Sequence, residues 1–127
     1  MIAVIFEVTP GAEDAYLDHA ARLAPLLDAH PGFISVERFR SLADPAWLLS
    51  LSFFEDEAAV RAWRARPEHR ATQAAGRAGV LADYRLRVAD VARDYGMTDR
   101  AQCPLDSRAV HEGPAPPAPT GGAPTAW

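Results

Sequence analysis

Trp63 and His69 stand six residues apart in the stretch from Trp47 to Tyr84, and together they have chemical potential. An imidazole titrates near pH 6.5 when unperturbed, so it can take a proton at neutral pH. An indole offers a flat apolar wall for another ring. Pro67 lies between the two and bends the chain, which lets Glu68, His69 and Arg70 open a second helical segment that looks back toward the first. Trp63 also falls at helical spacing with Val60, which is a core position, and the two roles are compatible. A histidine at a helix start is equally suited to solvent.

Other chemistries lack the residues they need. His19, His30 and His111 have no metal-ligand spacing with one another or with Cys103, so no metal site is expected. There is no glycine-rich phosphate loop and no GxSxG elbow. Arg38, Arg77 and Arg87 read as partners in surface salt bridges rather than as substrate ligands.

The elements that position Trp63 and His69 follow from hydrophobic period. Met1 to Val8 alternates Ile2, Val4, Phe6 and Val8 with Ala3, Ile5 and Glu7, which predicts a strand ended by Pro10 and Gly11. Ala12, Tyr16, Ala20, Leu23 and Leu27 recur at helical spacing behind Glu13 and Asp14, whose charges suit a helix N-terminus, and Pro25 kinks the last turn. Pro31 and Gly32 lead into a strand from Phe33 to Ser41, and a turn at Asp44 and Pro45 makes a hairpin into Trp47 to Phe54. Asp56 caps the helix of Val60 and Trp63. His69, Gln73, Gly76 and Val80 share one face of the next segment, and Tyr84 to Tyr95 forms the last strand.

The order β-α-β-β-α-β predicts an α+β, ferredoxin-like antiparallel sheet with helices on one face. Ile5, Phe33, Phe39, Leu48 and Phe54 are expected on the face opposite Val4, Phe6, Ile34, Val36, Leu49, Leu51 and Phe53. Both faces are apolar, and a patch of that size calls for a second subunit, so a homodimer is expected.

Composition bounds the rest. The chain has 127 residues, net charge -4 and pI about 5.5, which fits one domain and argues against nucleic acid as a partner. The N-terminal apolar run is too short for a membrane span and lacks signal-peptide features, and a single cysteine suits a cytoplasmic protein. Residues 1–98 are read as the domain. Residues 99–127, rich in Pro, Ala and Gly, are read as an extended or disordered tail, above all the run Gly113 to Trp127.

Three segments, PGFISVERFRS, LLSLSFFEDEAAVRAW and RPEHRATQAAGR, resemble the antibiotic biosynthesis monooxygenase domain family, including the spacing from Trp63 to His69. The resemblance covers about the first three quarters of the chain. It implies a dimeric α+β barrel, in which two such sheets pack face to face and each subunit keeps a pocket between sheet and helices. It also implies oxidation of an electron-rich aromatic (a phenol, anthrone or quinol) by molecular oxygen, with no cofactor, because a deprotonated substrate supplies its own electrons. His69 would be the base and Trp63 the ring-stacking wall.

A haem-degrading branch of the same superfamily places an Asn on the first strand and an axial His ten residues after its Trp. The matching positions here are Val4 or Phe6 and Gln73, which are therefore expected to contact substrate rather than haem. His69 remains chemically able to ligate iron. The alternative function is a redox-silent binding protein, isomerase or cyclase of the same fold, or a haem-binding relative.

Overall fold

The fold is seen in a computed structural model that describes residues 1–111. The chain divides into two compact units, Met1–Val91 and a second beginning at Ala92. The first unit contains β1 (Ile2–Pro10), α1 (Glu13–Asp28), β2 (Phe33–Arg40), β3 (Leu48–Phe54), α2 (Glu57–Arg64), α3 (Pro67–Ala75), a π-helical turn (Gly76–Val80) and β4 (Leu81–Asp90). The sheet is antiparallel in the order β2-β3-β1-β4, the ferredoxin-like α+β arrangement that the element order predicts.

Local chemistry accounts for the helix starts. The Asp56 carboxylate accepts the Ala59 N–H at 2.8 Å, an N-cap to α2. Pro67 sits at the first position of α3, where its missing N–H costs nothing. Glu13 and Asp14 occupy the first turn of α1, and Pro25 lies inside that helix, which still runs on to Asp28.

The span of β4 differs at both ends from the reading of Tyr84 to Tyr95. Pairing starts at Pro10↔Leu81 and ends at Ile2↔Asp90, with one further bond from the Val91 N–H to the Met1 carbonyl. At the other end Gly79, with φ of 127°, turns the chain out of the helix and into the strand three residues earlier than expected.

The assignment of strand faces is also corrected. Ile2, Val4, Phe6 and Val8 stand opposite Phe54, Ser52, Ser50 and Leu48, so Leu48 and Phe54 face the helices and Leu49, Leu51 and Phe53 face away, with Ala3, Ile5 and Glu7. In β2 the register slips between Phe33 and Ser35, which makes Ile34 the extra residue of a bulge. Phe33 and Val36 consequently both pack on the helix-side core. β3 carries apolar residues at both phases, and alternation alone cannot choose its inner face.

The helix side holds two core clusters. One joins Ile2, Phe54, Leu27, Ala59, Val60 and Trp63; the other joins Val8, Tyr16 and Leu48, with Phe6, Val80 and Leu81 against it. In the second unit a short helix, α4 (Leu105–His111), occupies part of the segment expected to be an extended tail. Asp106 lies in its first turn and Arg108 in its last, charges that suit the helix dipole, and the Arg108 guanidinium donates to the Ala101 carbonyl at 3.1 Å. The expectation for Gly113 to Trp127 lies outside the described residues. No helix among the described residues is long and apolar enough to cross a membrane.

Candidate active site

Trp63 and His69 are brought together. Their ring centroids lie 5.3 Å apart at an interplanar angle of 43°. The Ala65 and Arg66 N–H groups close α2 onto its last carbonyls, Pro67 starts α3 at once, and His69 therefore falls on the side of α3 that faces α2.

The two residues differ in surroundings. Trp63 is 8% exposed, and its ring is already in use: His30 stands edge-on at 5.5 Å and the Arg66 guanidinium lies over it at 5.8 Å. His69 is half-buried, and its buried Nδ1 has no well-formed hydrogen bond among the described residues. Burial pushes the His69 pKa below the ordinary imidazole value; the Arg64 backbone opposes this and the positive charge of Arg70 adds to it. The neutral form of the ring is thus favoured at physiological pH.

Between the two core clusters, the sheet presents two cross-strand rows to the helix side. One is Ser52, Val4 and Val88; the other is Ser50, Phe6 and Leu86. Val4 and Phe6 are half-buried, with Phe6 against the Tyr84 ring at 5.6 Å. Tyr84, Leu86 and Val88 remain 43%, 51% and 45% exposed, an apolar strip along β4 that the helices do not cover.

α3 runs from one cluster to the other. Its first turn sets His69 on Trp63, and Gly76 follows its last residue, where an added Cβ would lie 3.1 Å from Leu81 Cδ1. It buries none of its own side chains. His69, Gln73 and Gly76 share its helical stripe, which therefore leads from Trp63 toward the start of β4. Gln73 is exposed.

Two open clefts among the described residues are lined by neither Trp63, His69, Val4, Phe6 nor Gln73. One of about 450 Å³ lies on the sheet face away from the helices, against Ile5, Phe39, Trp47 and Leu49. The other, of about 300 Å³, lies between α1 and α3, against His19, Arg22, Leu23 and Thr72. The structure thus brings His69 onto Trp63 and places Val4 and Phe6 in adjacent rows of the sheet.

Sequence reading missed Tyr84, Leu86, Val88, Ser50, Ser52 and His30. The serines alternating with Leu49, Leu51 and Phe53 were the available signal, since small residues on the helix side leave room above the sheet. Arg87 pairs with Glu7 at 2.6 Å, whereas Arg38 lies over the Tyr16 ring at 5.9 Å. Among the described residues no three of His, Cys, Asp and Glu gather as metal ligands do.

Residues 1–75 match the family described as Antibiotic biosynthesis monooxygenase. The chain belongs to the antibiotic biosynthesis monooxygenase family. A member from Pyricularia oryzae named jasmonate monooxygenase ABM is 47% identical over 93 residues, which cover 72% of this chain and 43% of that protein. The aligned region thus spans less than half the length of that relative. The Bacillus subtilis protein YqjZ, uncharacterised, is 35% identical over 92 residues, covering 72% of this chain and 79% of that protein. Among solved structures, SnoaB, a cofactor-independent oxygenase from Streptomyces nogalater, superposes with a TM-score of 0.63 at 20% identity, over 73% of this chain and 94% of that one. That likeness supports the family fold in the first unit.

Proposed function

We propose that this member of the family is a cofactor-independent monooxygenase that ionises an electron-rich aromatic, a phenol, anthrone or quinol, and lets molecular oxygen oxidise it. One observation carries the reading: a half-buried imidazole, His69, whose neutral form is favoured by burial, packed against Trp63. Such a group is a proton acceptor in a partly dry setting, which is what ionising a weak carbon or oxygen acid at neutral pH requires.

For an anthrone the reaction balances without an outside reductant. His69 takes a proton from the substrate, and the resulting anion gives electrons to oxygen and bonds to it as a hydroperoxide. Loss of water from the hydroperoxide, with the proton returned by His69, leaves a quinone. One anthrone and one oxygen molecule thus yield one anthraquinone and one water. The substrate lies between α3 and the strip of Val4, Phe6, Leu86 and Val88, with Gln73 at its edge. Trp63 serves the base more than the substrate, because its ring is filled by His30, Arg66 and His69.

A named jasmonate monooxygenase among the relatives widens the substrate class to other acids that form electron-rich anions, such as enolisable ketones. The functional unit is a homodimer built on the sheet face of Ile5, Leu49, Leu51 and Phe53, and it acts in the cytoplasm. Oxygen uptake with a panel of anthrones, hydroquinones and enolisable ketones, before and after metal chelation, tests the reading. Chelation-insensitive uptake that is lost in His69→Ala is expected. Tight binding of panel members without any uptake makes the protein a redox-silent binder or isomerase instead.

A further inference from the structure

His30 is a buried titratable group that the proposed reaction does not use. It lies 8% exposed in the turn between α1 and β2. Its Nε2 stands 2.9 Å from the carbonyl oxygen of Ala59 on α2. A carbonyl only accepts, so Nε2 carries a proton and donates it. Its Nδ1 faces the Arg66 guanidinium at 3.5 Å. A guanidinium only donates, so Nδ1 is the acceptor. These partners, 29 and 36 residues away, together select one neutral tautomer.

The same ring is wedged among the groups that hold His69. It stands edge-on to Phe54 at 6.4 Å and to Trp63 at 5.5 Å. Arg66, which Nδ1 engages, lies over Trp63 at 5.8 Å, and its Nε is 3.8 Å from Glu68 in the first turn of α3. His69 then rests on Trp63. An aliphatic side chain would fill this volume as well, but it could not link Ala59 on α2 to Arg66 at the α2–α3 junction.

We propose that His30, as the neutral Nε2–H tautomer bridging Ala59 and Arg66, is a positioning residue that fixes the Trp63 indole against which the His69 imidazole rests. The proposal rests on the reading of His69 as the base. Its test does not need turnover, so the two can fail separately.

The full chain, labelled with 15N at histidine, is followed by two-bond proton–nitrogen correlation spectra across pH. His30 is expected as the Nε2–H tautomer at neutral pH. In His30→Leu the His69 midpoint should rise toward the ordinary value of about 6.5, since a displaced indole no longer dries the ring. His30→Gln, which keeps an N–H for the Ala59 carbonyl, should hold the His69 midpoint near that of the native chain. With an active substrate, His30→Leu should lower kcat more than it changes KM. An Nδ1–H tautomer or a doubly protonated His30 in the native chain at neutral pH overturns the proposal. So does a folded His30→Leu protein whose His69 midpoint is unmoved. Where His30→Leu does not fold, the native tautomer and the His30→Gln titration decide it.

Discussion

At the scale of single residues, His69 ties pH to stability. Its folded pKa is depressed while the unfolded chain titrates at about 6.5, so on acidification the unfolded state takes up the proton first. The neutral ring's contribution is complete above pH 6.5 and is lost as pH falls through 6.5 toward the folded value. Denaturant titrations should therefore show native stability dropping between pH 7.5 and the mildly acidic range by more than that of His69→Ala. Equal pH dependence in the two proteins would mean that the ring is not desolvated. Trp63 lies in the core and beneath the base at once, and Trp63→Ala should cost about 3 kcal/mol by cavity formation. The same variant should release the His69 pKa upward, which a thermal melt and an NMR titration would measure separately. The pair was legible in sequence because Pro67 marks the bend. The uses already made of the indole were not, since His30 and Arg66 reach it through contacts that spacing does not encode.

At the scale of elements, the order and start signals were readable, and the phase of two strands was not. Asp56, Pro67 and the acidic start of α1 act locally, so the chain states them directly. The inner face of β3 is decided by β1, whose register buries Leu48 and Phe54, and the bulge at Ile34 is decided by β3. The limits of β4 depend on its pairing with β1, a long-range contact that local pattern does not encode. The turn into β2 supplies a test of how the site is braced. Gly32 has φ of +82°, and a Cβ there would lie 2.6 Å from the Ala59 Cβ. Gly32→Ala should thus lose at least about 1 kcal/mol from backbone conformation alone. It should also push Ala59 away from His30, because the residue it strikes holds the carbonyl that His30 binds. A melting temperature equal to that of the native chain would remove this link.

At the scale of the molecule, serines on the inner side of β3 and Leu49, Leu51 and Phe53 on the outer side invert the usual pattern of a half-solvated sheet. The homodimer proposed on the outer face would account for the inversion. Leu51→Asp would bury an unpaired carboxylate there and should weaken association more than tenfold by sedimentation equilibrium. A native chain that is monomeric at micromolar concentration would contradict it. Residues 1–98 are proposed to fold and associate alone, and a truncated chain with native melting behaviour would bear that out. The central claim is that His69, kept neutral by burial, accepts the substrate proton in an oxidation that oxygen completes unaided. Its most direct test is the pH dependence of kcat/KM for oxygen consumption with an anthrone, in the native protein and in His69→Ala. The account predicts an acid limb with its midpoint below 6.5 in the native protein, one anthraquinone formed per oxygen consumed, and a loss of roughly 100-fold or more together with that limb in His69→Ala. Native turnover and an unchanged acid limb in His69→Ala would contradict it.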